Sequence, residues 1–144
     1  MSTPVFCSVR DARPQDAGSL STLSADLGYP VPTEVMRERI AHLTLDHAVF
    51  VAEGDKVIGW IDVGLVFHLQ SGTRAEIGGL VVSSESRSQG VGRLLLQRAE
   101  QWAREKGMTR LLLRSNVKRN DAHRFYLREQ YTQVKTSAVF EKNL

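Results

Sequence analysis

The stretch Arg87-Ser88-Gln89-Gly90-Val91-Gly92-Arg93-Leu94-Leu95-Leu96 joins an apolar strand-like run, Leu80-Val81-Val82, to a long amphipathic helix. A strand that empties into an arginine- and glycine-bearing loop and then opens a helix is a device for holding phosphate. Glycines remove the Cβ atoms that would keep a phosphate off the backbone. The first N–H groups of a helix have no partner within it and point at whatever sits there. The positive end of the helix dipole and the flanking Arg87 and Arg93 favour an anion further. The loop therefore predicts a phosphorylated ligand.

Spacing narrows the ligand. No Gly-x-x-x-x-Gly-Lys-Ser/Thr occurs in the chain, so the loop is not a P-loop. The dinucleotide fingerprint needs a third glycine where Leu95 stands, and an early βαβ unit. The pattern Arg87-x-x-Gly90-x-Gly92 instead resembles the Arg/Gln-x-x-Gly-x-Gly/Ala pyrophosphate loop of the GCN5-related N-acetyltransferases (GNAT). Its context strengthens the likeness: Ala75-Glu76-Ile77-Gly78-Gly79-Leu80-Val81-Val82 before it, and Asp121-Ala122-His123-Arg124-Phe125-Tyr126 after it. In order and spacing these pieces are similar to the family's fourth strand, its coenzyme A loop and helix, and its next helix. The resemblance spans roughly residues 5–140, with its specific part in residues 75–131.

Length and composition set the frame. A chain of 144 residues is expected to form one domain, residues 1–144. No apolar run approaches the length of a membrane span, and the N-terminus carries no signal-peptide pattern, so no membrane partner is expected. Cys7 is the only cysteine, which excludes an internal disulfide and fits a reducing, cytoplasmic setting. A net charge of +3 suits an anionic ligand but is too modest to argue for nucleic acid. The four histidines show no metal-ligand spacing, and no metal is expected.

Read in order, Val5 to Arg10 predicts a first strand. Pro14 and Asp16 open a helix with Leu20, Leu23 and Leu27 on one face and Gly28 as its stop. A second helix starts at Thr33, carrying Met36, Ile40 and Leu43. Ala48–Ala52 and Val57–Val63 flank Gly54-Asp55 as a hairpin, and Thr73 to Val82 forms a further strand. Within it Gly78-Gly79 marks a bulge or a close backbone approach. The helix from Val91 to about Lys106 buries Leu95, Leu96, Ala99, Trp102 and Ala103. Arg110 to Ser115, a short helix from about Asp121, and a closing strand from Val134 to Glu141 complete the order. The fold class is α/β (α+β): a mixed, largely antiparallel sheet with helices on both faces.

The resemblance implies the chemistry. In the family the fourth and fifth strands splay, and pantetheine amides satisfy the backbone groups left open; Leu80, Val81 and Val82 occupy the matching positions. The loop Arg87, Ser88, Gln89, Gly90, Val91, Gly92 and Arg93 would hold the pyrophosphate of acetyl-CoA, the acetyl donor. Glu76 matches the general base of some members, although a glutamate there can equally face solvent or Arg74. Tyr126, of Phe125-Tyr126, matches the tyrosine that protonates the departing thiolate; a purely core role is the alternative. A backbone N–H at or near Val82 would stabilise the oxyanion. Arg119 stands where an asparagine often bonds the coenzyme in the family: either Asn120, one residue later, takes over with a local shift, or Arg119 contacts the phosphates, or the contact is absent. Lys118, Arg119 and Arg124 are either a solvated basic face or a contact for the 3′-phosphate. Gln130 stands where a glycine is usual at a helix C-terminus.

The acceptor, a small-molecule or peptide amine, would meet the first two helices and neighbouring turns. Asp26, Glu34 and Asp62 suit a cation there, and Tyr29 or Trp60 could stack on it. Transfer would be direct, in a ternary complex, because no cysteine lies near the motif. The rival reading is a catalytically silent module that senses acetyl-CoA. The closing strand could pair across a homodimer, and a monomer fits equally.

Overall fold

The structure is a computed structural model that describes residues 6–115 and 119–144. Val5, the expected start of the first strand, and Lys118 lie outside the described residues. The chain divides into two compact units, Met1–Leu113 and Arg114–Leu144.

The first unit is built on five strands: β1 (Ser8–Asp11), β2 (His47–Glu53), β3 (Val57–His68), β4 (Gly72–Val82) and β5 (Leu111–Leu113). They stand in the order β1-β2-β3-β4-β5, antiparallel except for the parallel β4–β5 pair. Helices α1 (Ala17–Asp26) and α2 (Thr33–Ala41) follow β1, and α3 (Val91–Glu105) follows β4. The expected mixed, largely antiparallel sheet is thus the one observed. β3 runs five residues beyond the expected Val63, pairing Phe67 with Thr73 and His68 with Gly72.

Strand alternation sorts the side chains onto two faces. Val51, Val57 and Val81 join Ala17, Leu20, Leu23, Met36 and Ile40 in one core cluster, so α1 and α2 cover that face. On the other, α3 lays Val91, Leu95, Leu96, Ala99, Trp102 and Ala103 against the sheet, the stripe its sequence predicts. Gly59 sets how closely α3 approaches. A Cβ there would lie 3.0 Å from Val81 O and 3.1 Å from Leu95 Cδ1. Arg10 ties the first strand down, reaching Asp16 at 2.8 and 2.9 Å and Glu53 at 3.1 Å.

The second unit contains α4 (Asn120–Arg128), which ends on Gln130 in the left-handed conformation, φ 73°. Tyr131 N–H donates to Tyr126 O and Gln130 N–H to Leu127 O, at 2.9 and 3.1 Å, a Schellman closure. The expected closing strand over Val134–Glu141 is not formed: these residues are exposed and carry no strand pairing among the described residues. A strand needs a neighbour to take its backbone groups, and β-prone composition alone does not supply one.

Candidate active site

The β4–β5 ladder is short. It holds only Ala75↔Leu111, Glu76↔Leu112 and Ile77↔Leu113, while β4 continues to Val82. Beyond Ile77, β4 keeps β3 on one side and, among the described residues, has no β5 pairing on the other. The described β4–β5 pairing thus ends at Ile77, five residues before β4 does. Ser83 N–H donates to Ile58 O at 2.8 Å, which fixes the phase of the β3–β4 ladder. Antiparallel alternation then commits Val81 to Trp60 and turns the N–H and C=O of Leu80 and Val82 away from β3.

The register across β3 and β4 slips by one residue at the splay. Asp62 pairs with Gly79 and Val63 with Ile77, so Gly78 is the extra residue of a bulge. Glycine is required there sterically: a Cβ on Gly78 would overlap Asp62 Oδ2 and lie 2.8 Å from Oδ1. A Cβ on Gly79 would meet Trp60 Cη2 at 3.1 Å and Asp62 Oδ1 at 3.3 Å. The bulge expected at Gly78-Gly79 is thus observed, with an acid and an indole resting on it.

Past β4, Ser84–Ser86 form a single helical turn, and the chain enters α3 through two left-handed residues, Ser88 (φ 64°) and Gly90 (φ 85°). Gly90 is the N-cap of α3, and nothing lies within 4 Å of where its Cβ would be. Ser88, a non-glycine at positive φ, carries backbone strain of the kind found at ligand loops. The amides of Val91, Gly92 and Arg93 open the helix, and no side chain caps them. Arg87 and Arg93 are both exposed, while Gln89 is half-buried and donates to Glu85 O. Those residues lie between the end of β4 and the first turn of α3.

On the α1–α2 face, pairing lines up His47 with Gly64 and Gly64 with Glu76. His47, Asp62, Arg74 and Glu76 therefore share one face beside Trp60. His47 Nε2 lies 3.0 Å from Asp62 Oδ2, and a Cβ on Gly64 would sit 2.7 Å from His47 Nδ1. The hydrogen bond to Asp62 raises the imidazole above its ordinary range, against the opposing effect of burial. His47 is the residue that motif reading misses. Its signal lies in the alternation His47, Val49, Val51 and in the glycine opposite it, which only a strand register reveals.

Tyr126 and Asn120 lie on α4, in the second unit. Tyr126 stacks edge-on with Phe125 and Tyr131, with centroids at 5.3 and 6.2 Å. Burial pushes its hydroxyl above the usual phenol range, with a smaller opposing effect of Arg119. Asn120 is the exposed first residue of α4, behind Arg119. The described residues hold no group of three or more His, Cys, Asp or Glu fit for a metal, and no helix is long and apolar enough to cross a membrane.

Comparison with known proteins meets this geometry. The chain is 36% identical over 132 residues to an aminoalkylphosphonate N-acetyltransferase of Salmonella typhimurium, covering 88% of this chain and 86% of the relative. An aminoglycoside 6′-N-acetyltransferase from Acinetobacter baumannii shares the fold with a TM-score of 0.82 at 17% identity, over 96% of this chain and 99% of that one. AAC(6′)-Iy, solved with the bisubstrate analogue CoA-S-monomethyl-acetylneamine, superposes with a TM-score of 0.83 at 16% identity and the same coverage. Residues 19–130 match the acetyltransferase (GNAT) family. The chain therefore belongs to that family, as an acyltransferase.

Proposed function

We propose that this acetyltransferase takes its acetyl group from acetyl-CoA and passes it directly to the primary amine of a small aminoalkylphosphonate. The whole chain acts as one catalytic domain in this reading; the family match crosses the division at Leu113. The observation that carries the donor is that the N–H and C=O of Leu80 and Val82 turn away from β3, on a strand that runs into the loop 87–93. Pantetheine amides suit the edge, and a pyrophosphate suits the amides of Val91, Gly92 and Arg93 with Arg87 beside them.

The acceptor class rests on the Salmonella typhimurium relative and on the charge of the α1–α2 face. An aminoalkylphosphonate carries an ammonium and an anion within a few bonds. That face offers Asp62 and Glu76 for the first and Arg74 for the second. Arg74 Nε is buried without a hydrogen-bond partner among the described residues.

An ammonium with a pKa near 10 must lose a proton before it attacks. Glu76 takes that proton, directly or through water. The amine then adds to the thioester carbonyl, and an N–H of the open edge near Val82 holds the oxyanion. On collapse the C–S bond breaks, and Tyr126 gives the thiolate its proton. A phenol is protonated at neutral pH, so the hydroxyl holds the proton that the thiolate takes. Asn120 and Arg119 complete the coenzyme contact.

The test is release of coenzyme A thiol from acetyl-CoA against aminomethyl- and aminoethylphosphonate, polyamines, an aminoglycoside and lysine peptides. Phosphonate-dependent release is expected; release with another amine alone would replace the acceptor class. Tyr126→Phe should lower kcat about 100-fold with acetyl-CoA affinity unchanged. Binding of acetyl-CoA without release for any amine would instead support the sensing module.

A further inference from the structure

We propose that Asp62 is the carboxylate that receives the acceptor's ammonium and that His47 is its positioning residue, an inference that rests on the transferase reading above. Three acids suit a cation on this side of the sheet, and the geometry separates them. Asp26 is exposed at the end of α1, and Glu34 is exposed and paired with Arg37. Asp62 differs from both. Its side chain is 22% exposed, its Oδ2 is taken by His47, and among the described residues no Lys or Arg pairs with it. A carboxylate largely out of water, with one oxygen answered by a single imidazole, has an open position for a second, charged donor.

That position is where the reaction needs it. Both Asp62 oxygens lie over Gly78 and Gly79, the first residues of β4 past its last β5 partner, Ile77. An ammonium on Oδ1 sits where the described β5 pairing ends, on the face that also carries Glu76. Docking and proton removal then fall to two different acids on one face. The Trp60 indole shares Gly79 with Oδ1, so a methylene next to the amine has an apolar wall.

The backbone is shaped for this pair. Two glycines inside strands weaken a sheet, and each here clears room for one partner: Gly64 beneath His47 and Gly78 beneath Asp62. The imidazole N–H on Oδ2 fixes the carboxylate rotamer and leaves Oδ1 for the amine.

Steady-state kinetics with aminoethylphosphonate and acetyl-CoA, on wild type and on Asp62→Asn, His47→Ala and His47→Gln, test the assignment. Asp62→Asn should lower kcat/KM for the acceptor about 10- to 100-fold, chiefly through KM, with the KM for acetyl-CoA unchanged. His47→Ala should raise the acceptor KM several-fold. His47→Gln, whose amide N–H can replace Nε2–H, should recover most of that loss. An acceptor KM unchanged in a folded Asp62→Asn overturns the proposal, as does an equal rise for both coenzyme and acceptor. Should Asp62→Asn fail to fold, equal acceptor KM values for His47→Ala, His47→Gln and wild type overturn it. Failure of the transferase reading is separately visible, as wild type that releases no thiol with any amine.

Discussion

Gln130 sits in a conformation that favours glycine, because its Cβ crowds the backbone at positive φ. Gln130→Gly should therefore stabilise the protein by up to about 1 kcal/mol, read as a higher urea midpoint at constant m-value. The Schellman bonds around it are backbone bonds, so the substitution leaves them in place. Asp16 gives a prediction in acid. Its hydrogen bonds to Arg10 hold the carboxyl below the usual range, so its stabilisation is present above the unfolded-state pKa and disappears as pH falls through the lower folded-state value. Asp16→Asn should cost about 1.5–3 kcal/mol at neutral pH. Unfolding curves for the two proteins should converge below about pH 4.

Elements differ in how far the sequence reveals them. The loop 87–93 and α3 are legible because everything that makes them is local: glycines at fixed offsets and an apolar stripe at helical spacing, with Gly107, at φ 79°, just past the helix end. The bulge at Gly78-Gly79 was legible for the same reason. The pair His47–Asp62 was not, since it depends on β2 and β3 aligning residues 15 apart in the chain, and no local pattern encodes that register. The expected strand at Val134–Glu141 shows the converse, a local pattern without a partner. The anion loop carries its own prediction. Arg87→Ala and Arg93→Ala should each weaken acetyl-CoA binding roughly tenfold, and the loss should shrink at high salt because both side chains are exposed. Titration calorimetry at two ionic strengths reads both effects.

At the scale of the whole molecule, a ligand held by the β4 edge and by the start of α3 binds only where strand and helix are both in place. Acetyl-CoA at a hundred times its Kd should add about 2.7 kcal/mol to stability, seen as a rise of several degrees in thermal midpoint. Coenzyme lacking the phosphates should give a smaller rise. The single residue Gly78 has a wider meaning here. A pleated strand normally shows alternate residues to the same side, so a carboxylate at 76 would share its side with residue 80. The inserted residue changes the beat. Glu76 faces the helices α1 and α2, whereas Leu80 pairs with Ile61 and turns to α3. One strand thus serves two rooms, polar before the insertion on one side and lined with core after it on the other. Removing Gly78 would put the two halves of β4 back in step and leave either the acid or the core on the wrong side of the sheet.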